Sequence, residues 1–120
     1  MRAPLLINTD PGVDDALAIL MAHQHAEVKG LAIAAGNVGL RHTANNALKL
    51  VDVMGHETPV FPGCATPLVL DAADAAFVHG ADGFGDTGYS PSTRAAANEH
   101  AALAISRLSR EFAGQLTVVA

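Results

Sequence analysis

Cysteine is almost absent from this 120-residue chain, where Cys64 stands alone. An internal disulfide is thereby excluded, the usual Cys and His spacings of a metal site are missing, and the composition suits a reducing compartment. Taken alone, Cys64 reads as a small buried hydrophobe. Basic residues are scarce too: 7 Lys+Arg stand against 12 Asp+Glu, for a formal net charge of −5. Such a surface has no positive field to hold a phosphate backbone, which argues against nucleic acid as a partner. Long hydrophobic runs are also lacking. The apolar stretch before Asp10 covers only Ala3 to Ile7, too short for a secretory core, and nothing approaches the ~18 apolar residues of a membrane span. The expectation is a cytoplasmic protein with no membrane partner.

What is present is an alternation. Leu5-Leu6-Ile7 is broken by Asn8-Thr9-Asp10-Pro11-Gly12, and Val13, Ala16, Leu17, Leu20 and Met21 follow at helical spacing. A second unit repeats the scheme, with Val28 to Ala35 nearly all apolar, a break at Gly36-Asn37, and a helical stripe of Ala44, Ala47, Leu48, Val51 and Met54 before Gly55. Val60-Phe61 predicts a third strand. From Cys64 to about Arg94 periodicity is lost and Gly, Pro, Asp and His accumulate, so this stretch is expected to be a loop, with a mobile flap over the site as one reading. Ala101, Ala104, Ile105, Leu108 and Phe112 then predict a helix ended by Gly114, and Leu116 to Ala120 a fourth strand.

Strands that read as continuous apolar runs between helices belong to a parallel sheet covered on both faces. The expected fold class is therefore α/β, a mostly parallel, Rossmann-like open sheet. Half of the chain is hydrophobic, but 24 residues are Ala, so the core is expected to be thin. The last apolar run has no covering helix after it, and residues 1–120 are expected to form the N-terminal part of a single α/β domain cut after about the fourth strand.

Ligands of open α/β sheets gather outside the carboxyl ends of the strands, where Asp10, Asp14 and Asp15 cluster. The Pro11-Gly12 bend folds these acids toward one another, and oxygen-only ligands suit a hard ion such as Ca²⁺ or Mg²⁺ rather than zinc. An ordinary reading stands beside it: acids in a helix's first turn are favoured by the backbone dipole, and Asp-Pro-Gly is common turn chemistry. Asn37 can cap a strand-to-helix turn, and His79 can be a solvated loop histidine. His23, His25, His42, His56 and His100 read as surface or capping residues. No phosphate-cradling loop follows the acids, which weakens a Mg²⁺-dependent phosphoryl-transfer reading.

Asn8-Thr9-Asp10-Pro11-Gly12-Val13-Asp14-Asp15-Ala16 resembles the N-terminal signature of the inosine-uridine-preferring nucleoside hydrolases, whose usual form begins with Asp where this chain has Asn8. Gly36-Asn37-Val38, Thr43-Ala44-Asn45-Asn46-Ala47-Leu48, Pro62-Gly63 with Pro67-Leu68, and His79-Gly80 with Asp82-Gly83-Phe84-Gly85 resemble the family in the expected order. The resemblance implies hydrolysis of the N-glycosidic bond of ribonucleosides, with one bound Ca²⁺ and a dimeric or tetrameric assembly of like subunits. It implies Asp10 and Asp15 as metal ligands and Asp10 as general base toward the calcium-bound water. Asp14 would bind a ribose hydroxyl, Asn37 would lie near the ribose and the attacking water, and His79 near the base. Family members run to about twice this length or more, so further ligands are expected from beyond residue 120, and the 120 residues alone are expected to be inactive. The competing reading is a non-catalytic binding module that keeps a weak cation or ribose site.

Overall fold

The structure, a computed structural model, describes residues 2–120. Strand β1 (Pro4–Thr9) is followed by helix α1 (Val13–His25), β2 (Glu27–Ile33), α2 (Leu40–Met54), β3 (Val60–Pro62), a single helical turn α3 (Ala76–His79), α4 (Ala101–Glu111) and β4 (Thr117–Val119). The four strands form one sheet in the order β3-β2-β1-β4, and every pairing is parallel. The expected fold class is observed.

Alternation along the strands explains why both faces need cover. Ile7, Leu31, Ile33 and Val60 point to one face and pack with Ile19 of α1 and Ala47, Leu50 and Val51 of α2. Their neighbours Leu6, Ala32 and Phe61 point to the other, under Ala101, Ala104 and Leu108 of α4. Burying a large aliphatic side chain contributes about 1.5–3 kcal/mol relative to exposure. The first face has one alanine among its eight buried members, whereas the second has three among six. The thinness expected from the alanine content is therefore concentrated on the α4 face. Lys29 is an extra residue in β2, so that Leu5 pairs with Val28 and Leu6 with Gly30. A Cβ at Gly30 would lie 2.7 Å from the Phe61 ring, so this bare position is what admits the aromatic ring to the thin face.

Helix ends follow local chemistry. Gly55 stops α2 in the left-handed conformation, φ 69°. Helix α4 ends at Glu111, before Gly114, and the His100 ring caps its start by accepting from the Ala102 N–H. Two readings of single residues are corrected. His23 is buried, because its Nδ1 donates to the Ile19 carbonyl at 2.8 Å and its Nε2 accepts from the Thr58 hydroxyl at 2.9 Å, satisfying the ring inside the fold. Desolvation lowers its pKa, partly offset by the Ile19 bond and assisted by nearby His56. Cys64, by contrast, is exposed, since it lies beyond the last paired residue of β3 with its sulfur 3.6 Å from His100 Nε2. No helix among the described residues is long and apolar enough to cross a membrane.

Candidate active site

The chain steps outward from β1 to β2 to β3 and then returns to the far side of β1, so the strand order reverses at β1. Crevices at such reversals, outside the carboxyl ends of the strands, are where open α/β sheets hold ligands. Asp10 is the first residue after β1, and the Pro11-Gly12 bend sends the chain into α1, whose second and third residues are Asp14 and Asp15. Two carboxylates in a first helical turn are stabilised by the partial positive charge there.

Asn37 joins the acids. Its backbone N–H donates to Asp10 Oδ2 at 2.8 Å, and its side-chain amide donates to the Asp10 carbonyl and to Asp15 Oδ2, both at 2.9 Å. Asp15 also accepts from the Thr9 hydroxyl at 2.8 Å and from the Gly12 N–H at 3.3 Å. Asn37 therefore does not cap α2, which begins at Leu40 after Gly39. It braces Asp10 against Asp15 across the ends of β1 and β2. Gly36 makes this approach possible, because a Cβ there would lie 2.3 Å from Asp10 Oδ2.

Asp14 is exposed, and no donor among the described residues bonds its carboxylate or Asp10 Oδ1. No lysine or arginine among the described residues pairs with any of the three acids. Two anions held side by side by neutral donors alone are relieved by a cation. Their hard oxygens fit Ca²⁺ or Mg²⁺ in kind. They fall short in number, and no group of three His, Cys, Asp or Glu side chains among the described residues is placed to hold a metal.

His79 ends α3 and reaches back to the same corner, where its Nδ1 accepts from the Val13 N–H at 3.2 Å. A backbone N–H can only donate, so the neutral ring must carry its proton on Nε2 and offers a donor there. The expected loop from Cys64 to Arg94 is thus not uniform. Ala75 N–H donates to the Asn37 carbonyl at 2.8 Å, and residues 79–86 close on themselves: the Gly83 and Gly85 N–H groups donate to the Gly80 and His79 carbonyls, and Asp82 Oδ1 accepts from the Phe84 and Asp86 amides. That part is pinned to the site rather than free above it. Sequence reasoning brought Asp10, Asp14, Asp15, Asn37 and His79 to one corner, and the structure gathers them there. It missed Thr9, whose hydroxyl fixes Asp15, and Asn46, which is buried on α2. Asn46 stood within the Thr43 to Leu48 stretch that resembles the family, but nothing in the sequence gave it a role.

The family model for inosine-uridine preferring nucleoside hydrolase matches residues 5–120. Among curated proteins, the chain is 38% identical to uridine nucleosidase 1 of Arabidopsis thaliana over 97% of its own length and 36% of the relative's. It is 39% identical to the inosine-uridine preferring nucleoside hydrolase of Leishmania major over 76% of its length and 30% of the relative's. Among solved structures, a plant nucleoside hydrolase superposes with TM-score 0.92 at 36% identity, covering 98% of this chain and 39% of that one. An inosine-guanosine nucleoside hydrolase gives 0.84 at 34%, covering 98% and 38%. The chain thus spans about a third of the length of the curated relatives it matches.

Proposed function

This chain belongs to the inosine-uridine preferring nucleoside hydrolase family, and from that premise we propose that it supplies the N-terminal share of a site that hydrolyses the N-glycosidic bond of ribonucleosides. The observation that carries the reading is the Asn37 brace, which sets Asp10 and Asp15 together at the strand-order reversal with neutral donors only.

In this reading Asp10 and Asp15 hold Ca²⁺, and Asp10 is the general base. Its Oδ2 is steadied by the Asn37 N–H, leaving Oδ1 to take a proton from the attacking water. Bond cleavage gives the anomeric carbon oxocarbenium character, which nearby carboxylates stabilise. Asp14 accepts from a ribose hydroxyl, Asn37 turns its free carbonyl oxygen toward the ribose and water, and His79 offers Nε2–H to the base. When bound, Ca²⁺ lowers the pKa of water and anchors vicinal hydroxyls. It takes about six to eight oxygens, so the reading requires donors from outside these 120 residues, in keeping with the share of the relatives that the chain spans.

The test measures free base released from inosine and uridine by the complete gene product. Asp10→Ala is expected to lower kcat by about 10²–10⁴-fold with an unchanged circular dichroism spectrum. Turnover kept within tenfold of the unsubstituted protein, on the same scale, sinks the assignment. Calorimetric binding of Ca²⁺ and ribose without any base release assigns the chain instead to a non-catalytic binding module.

A further inference from the structure

We propose that Asn46 is a positioning residue, which holds the histidine-bearing turn at a fixed distance from the acidic loop. The inference rests on the hydrolase reading for its consequence in turnover, and on geometry for the tether itself.

Asn46 is only 8% exposed, yet it belongs to neither apolar cluster. Its side-chain amide donates to the Pro11 carbonyl at 3.0 Å and to the Asp82 carbonyl at 2.8 Å. Both amide hydrogens are thereby used on main chain 71 positions apart in sequence, as the numbers 11 and 82 give. Among the described residues no backbone N–H bonds either carbonyl, so Asn46 is their partner within the fold, and the Pro11 bond, which is buried, is costly to leave unmade. Pro11 directly follows Asp10. Asp82 belongs to the turn that closes on the His79 carbonyl through the Gly85 N–H at 2.7 Å. The far end of the same turn is fixed by the Val13 N–H on His79 Nδ1. Beside the Ala75 bond to Asn37, the acidic loop and this turn are thus clamped to each other at two points, one by the histidine ring and one by Asn46. Gly83 lets them meet: its φ is 86°, and a Cβ there would lie 2.8 Å from Asn46 Nδ2 and 3.4 Å from the Pro11 carbonyl. Releasing Asn46 leaves the histidine-bearing turn tied to the site only on its His79 side, through the Val13 N–H on the ring and the Ala75 N–H on the Asn37 carbonyl, so the acids and the Nε2–H donor lose part of their common frame.

The test compares Asn46→Ala and Asn46→Asp with Thr43→Val. Thr43 lies on the same helix and is fully buried, but its hydroxyl donates only to the Leu40 carbonyl. Two quantities are read at a temperature where each variant is folded: hydrogen exchange of the Val13 amide, and kcat and KM for base release. Both Asn46 variants are expected to speed Val13 exchange by about tenfold or more and to lower kcat/KM by about 10- to 100-fold. Thr43→Val lowers the melting temperature and moves neither readout beyond about twofold. If Asn46→Asp fails to fold, Asn46→Ala decides. Unchanged Val13 exchange in a folded Asn46 variant overturns the tether, as does an equal response in Thr43→Val. Faster exchange with unaltered kcat/KM overturns the positioning role. Absence of base release from the unsubstituted protein overturns the hydrolase reading instead, and Val13 exchange still decides whether Asn46 holds the turn.

Discussion

The connection between β3 and α4 contains two neighbouring stretches that differ in almost every physical respect. Residues 64–74 are exposed throughout, with Leu68, Val69 and Leu70 at 98, 92 and 77% exposure, and among the described residues no backbone–backbone hydrogen bond ties them to the rest of the fold. Residues 75–86 also carry three large apolar side chains, of which Phe77 and Val78 are 89 and 65% exposed. Even so, they are tied to Asn37, Val13 and Asn46, bury Gly83, and lay Phe84 against the α1/α2 core. The number of large apolar residues does not distinguish the two stretches. Satisfied polar groups, together with glycines that reach positive φ, decide which one becomes part of the site.

The sharpest way to break that contrast is at Gly83. Gly83→Ala must hold a side chain at φ 86° against Asn46 and Val38, and is expected to cost about 2–4 kcal/mol in urea denaturation. The same change at Gly88, also at positive φ but with nothing within 4 Å of a Cβ, is expected to cost only about 1 kcal/mol. Equal losses would show that conformation rather than the close approach to Asn46 governs the turn. Next in size is Asp82→Ala, which deprives the Phe84 and Asp86 amides of their acceptor and is expected to cost about 1 kcal/mol. The Phe84 N–H holds the Asp82 carboxyl below its ordinary 3.8, against the effect of burial and with help from the Asp86 N–H. A depressed folded pKa gives stabilisation that is complete above the unfolded value and is lost as pH falls through the folded one. Protection of the Phe84 and Asp86 amides, taken relative to their intrinsic exchange at each pH, is therefore expected to fall below pH 3.8, and Asp82→Ala to abolish that loss. Smallest of all is Leu68→Ser, expected to change stability by less than about 0.5 kcal/mol; a larger loss would mean that residues 64–74 are packed in solution.

The sheet was legible because its information is local. The apolar runs at β1 and β2, the stripes of α2 and α4 and the stop at Gly55 each follow from neighbouring residues. Asp10, Asp14 and Asp15 were legible for the same reason, since one bend gathers them. What escaped depends on pairs distant in sequence. The turn Ala76–His79 is too short to show a period, and its preceding residue, Ala75, is fixed by a bond to Asn37. His23 reads as a surface residue until Thr58 is placed against it. Asn46 is indistinguishable by composition from Asn45 one position earlier, and only the arrival of Pro11 and Asp82 from elsewhere separates them.

Gly36 carries a consequence for anyone redesigning this corner of the fold. A methyl at that position and the Asp10 oxygen compete for the same 2.3 Å gap, so every substitution there evicts the carboxylate from the Asn37 amide before any new contact can form. Mutagenic libraries meant to retune ligand choice are wasted at residue 36, whereas the uncovered rim at Asp14 leaves chemistry to explore without dismantling what lies beneath it.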